Sequence, residues 1–393
     1  MSEHQHLHFL ACDRLLDDEQ LAFMEGLSSH AEVSRREFEV AYHWGGGFRG
    51  DPEEMLRRGY DVHVEYANYG VRRVLLRLPG PPVGLGTLER YGSSGCVRWL
   101  PDDAERPEGP GLLDFQPDGG DADTFDWFED PEGVAAAVAP LRDLLLCGDL
   151  RPLAIGRLAG LRVMYDGDDF PLPPVPAGLT DLPPAAEALR AFFEVPEEEV
   201  AALAQGEPEA GPPARAEEAE RVAAFVADLP EADLREVATR VLAGESAAAA
   251  MDLRRRLRDA EPSVGWPVAE DPRTLDGLLV EADRLSAVAA AERAEAAAAA
   301  EREREEREAR RRAEEAERTR EDPDAALERI ESSIGTRSSA AYAAAFEELS
   351  AFVEALGEGA ALPEVRALAG RLNRRDRRPA GLLKLLREAG WLG

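Results

Sequence analysis

The sequence predicts an α+β N-terminal domain, built of mixed but mainly antiparallel strands with helices. An all-α region follows, with one long charged helix and a C-terminal helical cap. Three observations carry this expectation. Residues 59–79 hold two stretches of period-two alternation around Ala67-Asn68-Tyr69-Gly70. Between Pro272 and Pro323 an apolar seam gives way to a dense run of Glu and Arg. Alanine- and leucine-rich segments at helical spacing, punctuated by Pro and Gly, fill most of the remaining second half.

Taken in order, residues 4–11 alternate, with His4, His6 and His8 on one side and Gln5, Leu7, Phe9 and Ala11 on the other, which predicts a first strand. Asp17 followed by Gln20 is a capping-box start for a short helix carrying Leu21, Phe23, Met24 and Leu27. Phe38, Val40, Tyr42 and Trp44 at period two predict a second strand, broken by Gly45-Gly46-Gly47. Asp51-Pro52-Glu53-Glu54 is a helix N-terminus: aspartate caps, proline suits the first turn, and the acids complement the dipole. Next comes the hairpin. Val62, Val64 and Tyr66 face one way in its first strand; Val74, Leu76 and Leu78 share a face in its second, with Arg73, Leu75 and Arg77 opposite. Asn68 and Gly70 tolerate the turn, and Pro79 ends the pairing.

Cys96 to Leu100 predicts another strand, followed by an acidic loop over 101–133 that holds twelve acids against Arg106 alone. Phe115, Phe125, Trp127 and Phe128 inside it point to a loop that packs down. Helices are expected over 134–147 and 150–165, closing a first domain at 1–169. A proline-rich linker or strap over 170–184 leads to a helical domain at 185–262, with helices over 185–204, 217–242 (nicked at Pro230) and 247–258. The long helix occupies 272–321. Its seam runs through Leu275, Leu278, Ala282, Leu285 and Ala289 to Ala296 and Ala299 with Glu292 as the one break, a coiled-coil spacing. Over 301–320 eight Glu and eight Arg replace the seam in i,i+4 pairs that need no partner helix. Residues 323–393 form a C-terminal helical domain whose tail, with Arg371, Arg374, Arg375, Arg377, Arg378, Lys384 and Arg387, is the basic part of the chain.

Charge limits the function classes. At −32 over 393 residues, the chain repels nucleic acid and anionic membrane as a whole. The basic tail is the one local exception, and an acidic segment such as 118–130, in the same or a neighbouring molecule, is the more economical target for it. Three scattered cysteines (Cys12, Cys96 and Cys147) offer neither zinc spacing nor a disulfide framework, which suits a reducing compartment. The N-terminus has no signal-peptide pattern and no window approaches a membrane span, so a soluble cytoplasmic protein is expected.

Motifs for chemistry are sparse. His4, His6 and His8 alternate on one strand face and could present imidazoles to a metal, but exposed histidines at a chain end are the commoner arrangement, so no metal site is assigned. The glycine turn before Asp51 lacks Gly-Lys-Ser/Thr, and its acids would repel a phosphate. Asp118, Asp121 and Asp123, and Asp166, Asp168 and Asp169, make acidic turns without the ligand ladder of a calcium loop. There is no nucleophile-elbow or zincin motif, and no cofactor is expected.

Phe9-Leu-Ala-Cys-Asp-Arg, Gly50-Asp-Pro-Glu-Glu-Met, Asp61-Val-His-Val-Glu-Tyr-Ala-Asn-Tyr-Gly, Leu76-Arg-Leu-Pro, Gly148-Asp-Leu-Arg-Pro-Leu and Pro173-Pro-Val-Pro-Ala-Gly-Leu together resemble an uncharacterised bacterial protein family, over residues 1–180. The resemblance brings no activity or catalytic residue. It implies gene neighbours encoding SWIM-type zinc-finger proteins, which suits a partner-binding role. The long helix lies outside it.

The resulting expectation is a non-enzymatic protein-binding or scaffolding component of a bacterial cytosolic complex, with the long helix as spacer or oligomerisation arm. Its partner would be another protein, a SWIM-type zinc-finger protein among the options, or a second copy. Candidate contacts are Leu275, Leu278, Ala282 and Leu285 on the seam and Arg374, Arg375, Arg377 and Arg378 on the tail. The rival expectation is an enzyme with its site in the first domain, using His43, His63, Tyr66, Asn68 or Arg72 near the hairpin.

Overall fold

The computed structural model describes residues 3–43, 47–92, 95–117, 131–164, 170–213, 218–260, 265–334, 339–374 and 379–392. The chain divides into two compact units, Met1–Val288 and Ala289–Gly393. The fold is the expected one: an N-terminal antiparallel sheet with helices, then an all-helical region that includes one long helix.

The first unit begins with β1 (His4–Leu10), α1 (Asp18–Glu25), β2 (Glu32–Val33), β3 (Glu37–His43) and α2 (Pro52–Arg58). Both expected caps form. Asp17 and Gln20 make the capping box, and the Asp51 carboxylate accepts the N–H groups of Glu53 and Glu54. The hairpin is β4 (Val62–Ala67) and β5 (Val71–Leu78), turning at Gly70 with φ 96°. α3 (Leu85–Gly92), β6 (Val97–Pro101) and β7 (Gly111–Phe115) complete the sheet, whose order is β2-β3-β1-β4-β5-β7-β6 with every pair antiparallel.

Two expectations are corrected here. The acidic stretch is not loop throughout: β7 lies inside it, fully buried between β5 and β6, because Leu112, Leu113 and Phe115 outweigh the acids around them. The histidines of β1 are not exposed. β1 sits between β3 and β4, and His6 and His8 are only 3% and 4% accessible. Trp44 and the acidic turns at Asp118–Asp123 and Asp166–Asp169 lie outside the described residues.

The sheet is covered on both faces. Leu7, Phe9, Phe38, Val40, Leu75 and Leu112 pack with Met55, Leu56 and Tyr60 of the α2 region. The other face, with Val62, Val64, Tyr66, Val74, Leu76 and Phe115, packs under α4 (Val134–Val138), α5 (Leu141–Leu146), α6 (Arg151–Met164), α7 (Pro184–Phe192) and α8 (Glu197–Ala204), with β8 (Val175–Pro176) inside the proline-rich segment between α6 and α7. Two expected helices are each split, α4 from α5 at Ala139-Pro140 and α7 from α8 at Glu194-Val195-Pro196, because proline cannot donate the next helical bond. Glu194 takes φ 52° at this break, and its side chain pairs with buried Arg72. The proline-rich segment is packed down as a strap: Val175 and Ala177 are fully buried, and β8 pairs with β9 (Val268–Ala269).

Between these lie α9 (Glu218–Asp228), α10 (Glu231–Leu242) and α11 (Ser246–Ala260), with Met251 of α11 reaching the α2-side core. α12 (Leu275–Glu321) is the long helix, and the division between the units falls inside it. The second unit adds α13 (Pro323–Ser333), α14 (Ser339–Leu356), α15 (Glu358–Asn373) and α16 (Ala380–Glu388) around Leu349, Phe352, Leu368, Leu372, Leu382 and Leu386, with Phe346 stacked on Trp391. Among the described residues, no helix is long and apolar enough to cross a membrane.

Candidate functional site

The structural feature with the densest chemistry is a charged cleft where the ends of β1, β4 and β5 meet α5 and α11. Its foundation is local. Asp61, at the entry to β4, donates its N–H to the Leu10 carbonyl at 2.8 Å. Its Oδ2 accepts the N–H groups of Cys12 at 2.7 Å and Asp13 at 2.9 Å, two donors that the end of β1 leaves without a ladder partner. That turn aims the Asp13 carboxylate at α5. There Arg142, buried to 3% exposure, donates Nη1 to Oδ1 and Nη2 to Oδ2, both at 3.0 Å, while its Nε reaches the Arg77 carbonyl at 2.7 Å. From α11, Arg258 adds Nη1 to Asp13 Oδ1 at 2.7 Å and Nη2 to Oδ2 at 3.3 Å. One carboxylate thus accepts four N–H bonds from two guanidinium groups on different helices, the fork geometry arginine is suited to.

Electrostatics follow from this packing. Burial opposes ionisation of Asp13, yet the hydrogen bonds and charges of Arg142 and Arg258 outweigh it and hold the carboxyl well below the usual range. Burial likewise opposes the Arg142 charge, but Asp61 and Asp13 raise its pKa further. Cys12 goes the other way: burial pushes its thiol up to about 12, against a partial pull from Arg142. The thiol beside this network is neutral and a poor nucleophile.

Above this network the cleft opens to a volume of about 770 Å³. Arg14, Arg77, Arg142, Arg240, Arg255 and Arg258 line it, against Asp13, Asp61, Asp252 and Asp259, with Leu15, Leu78, Pro79 and Pro110 as apolar walls. Six positive and four negative side chains leave a local balance of +2, in a chain whose net charge is −32. The arginines are not equally committed. Arg240 lies 3.5 Å from Glu245 and 3.6 Å from Asp252, longer than hydrogen bonds, and Arg14 is exposed with no ion pair to a described residue. A second cleft of similar volume lies in the other unit, where Arg312, Arg320 and Arg329 alternate with Glu315, Glu348 and Glu354.

The residues singled out from the sequence sit elsewhere. His63 is fully buried, stacked on Phe9 at 4.1 Å, and burial lowers its pKa, favouring the neutral ring. Tyr66 and Arg72 are each 1% exposed, Arg72 donating to the Phe192 carbonyl and to Glu194. Asn68 Oδ1 accepts the His4 N–H at 2.8 Å, and His43 stacks on His4. None of these five lines the cleft. Leu275, Leu278 and Ala282 are buried within the first unit, and Leu285 packs partly against the same core. Arg374 is exposed after α15, while Arg375, Arg377 and Arg378 lie outside the described residues. His6 and His8 face two carboxylates of β3, Nε2 of His6 lying 2.9 Å from Glu39 and Nε2 of His8 2.5 Å from Glu37.

Sequence reasoning missed the cleft because its members come from positions 13, 61, 142 and 258. One local signal did exist: Arg142 sits inside Leu141-Arg-Asp-Leu-Leu-Leu, where its neighbours all turn toward the core except Asp143. No protein-family model, curated protein or solved structure matches the chain. The site is therefore read from its own chemistry.

Proposed function

We propose that the protein is a non-enzymatic binding and scaffolding component of a cytoplasmic assembly, whose α+β unit grips a carboxylate-rich segment of a protein partner in the arginine-lined cleft. The carrying observation is the composition of that cleft. Among the described residues its ionisable side chains are arginines and aspartates alone, and the central pair is held in the charged state. Such a lining suits static recognition of anions better than proton transfer, which needs a group titrating near the working pH. The overall charge of −32 favours a protein segment over nucleic acid, because a polyanion would meet repulsion from everything outside the cleft. A SWIM-type zinc-finger protein is one partner consistent with the family resemblance. α12 serves as spacer or self-association arm, its side chains exposed from 290 to 307.

The test is affinity capture from native cells by the full-length protein and by Arg14→Glu/Arg240→Gln, two substitutions outside the Asp13–Arg142–Arg258 network. A stoichiometric partner held by the wild type, lost in the variant and displaced by an oligo-glutamate peptide supports the reading. A partner retained equally by the variant, or none with either protein, overturns it.

A further inference from the structure

We infer that β1 and β3 carry a divalent-cation site of the zinc type, made by the imidazoles of His6 and His8 and the carboxylates of Glu37 and Glu39. The register puts all four on one sheet face: His8 lies directly opposite Glu39, while His6 and Glu37 sit one alternation away on their strands. Ligand atoms of His8, Glu37 and Glu39 lie within 4.8 Å of one another, and His6 Nε2 is 2.9 Å from Glu39. Two imidazole nitrogens and two carboxylates form a donor set that zinc accepts.

Two further observations point to a cation. Glu32 of β2 lies directly opposite Glu39, so a third carboxylate crowds the same face, and like charges in that position destabilise a sheet. Among the described residues, the cationic partners of Glu37 and Glu39 are His8 and His6 alone. The imidazoles are buried, whereas the side chains of Glu37 and Glu39 are 45% and 31% exposed, so the site has a fixed inner half and an adjustable outer half facing solvent. Donors about 2.0–2.1 Å from a tetrahedral metal stand about 3.3 Å apart. Rotation of the exposed carboxylates gives the His8, Glu37 and Glu39 donors that room, and His6, outside that 4.8 Å cluster, joins through a turn of its ring.

The affinity has a ceiling. The Nδ1 atoms of His6 and His8 are buried without a hydrogen-bond partner, so neither ring has the carboxylate or carbonyl that normally orients a metal-bound histidine. Such partners are worth about 10–100-fold in affinity. The site therefore binds more weakly than a dedicated structural zinc centre by about that factor. Metal binding places the ring protons on Nδ1 and replaces the Nε2–carboxylate hydrogen bonds with metal–ligand bonds.

The experiment titrates Co(II), then Zn(II), into tag-free full-length protein stripped with a chelator, following visible Co(II) absorption and heat. Expected are one equivalent bound with a tetrahedral, thiolate-free Co(II) spectrum, and displacement of Co(II) by Zn(II). Glu37→Gln/Glu39→Gln changes side chains that are partly exposed, so the fold survives, and it should weaken binding at least about tenfold. Cys12→Ser/Cys147→Ser should leave binding unchanged. An octahedral aqua-like spectrum, a thiolate charge-transfer band, or equal affinity in the glutamine variant would overturn the assignment.

Discussion

Arg142 meets Asp13 end-on, Nη1 to Oδ1 and Nη2 to Oδ2 at 3.0 Å each, while Nε of the same guanidinium holds the Arg77 carbonyl at 2.7 Å. This contact ties the turn after β1 to α5 and to the end of β5, and Nη2 also faces Asp61 Oδ1 at 3.7 Å. Asp13→Asn leaves Arg142 and Arg258 without their ionised partner. Loss of one member of a fully buried pair costs about 3–5 kcal/mol. With the Asp13 side chain 21% exposed, the loss should be about 1–3 kcal/mol, read in denaturant unfolding as a lower midpoint with an unchanged slope. A loss below 1 kcal/mol would mean that water or Asp61 compensates.

The same pair sets an acid limb. The folded Asp13 pKa is depressed below the unfolded value of about 3.9. Its stabilising contribution is therefore complete well above that value and is lost as pH falls below it toward the folded value. Stability of the wild type relative to Asp13→Asn should be constant above about pH 5 and shrink below pH 4. A difference that grows on acidification would contradict the assignment.

Cys12 should resist alkylation. With its thiol pushed up to about 12 by burial, its thiolate fraction at pH 8 is about a thousandfold smaller than that of an unfolded cysteine near 8.5. Site-resolved mass spectrometry with iodoacetamide should find Cys12 unmodified in the folded protein and labelled promptly in denaturant. Rapid native labelling would place an ionised thiol beside Asp13, against the charge balance described.

Gly156 lets α6 lie close on the sheet. A Cβ there would stand 2.5 Å from Phe115 Cδ1 and 3.0 Å from Val97 Cγ2. Both neighbours are buried in the core, so Gly156→Ala should destabilise the first unit by about 1–3 kcal/mol through overpacking. Helix propensity favours alanine by up to about 1 kcal/mol, so a net stabilisation would show that the helix shifts freely.

The exposed part of α12 should be removable. Deleting 290–307 removes about five full turns at 3.6 residues each, keeping helical phase. It spares Thr319, buried in the second unit, and the Arg320 Nε bond to the Ala355 carbonyl. Both units should keep their unfolding transitions by calorimetry. Loss of either transition would give this stretch a folding role beyond that of a spacer.

What the sequence by itself determined was whatever rests on near neighbours. The Asp17 and Asp51 caps, the 62–78 hairpin and the long helix were legible because a cap, a two-strand alternation or a 3.6-residue repeat is completed within a few residues. The helix breaks at Pro140 and Pro196 were written in the chain too, though alanine-rich flanks masked them. Tertiary structure alone decided the rest. β7 is a strand because β5 and β6 flank it, not because Gly-Leu-Leu-Asp-Phe alternates. His6 and His8 are buried because β1 lands between β3 and β4, beneath covering helices. The cleft joins Asp13, Asp61, Arg142 and Arg258 across 245 positions of chain. Burial and charge pairing act through space, and a sequence of alternating acids and arginines permits many pairings until packing selects one.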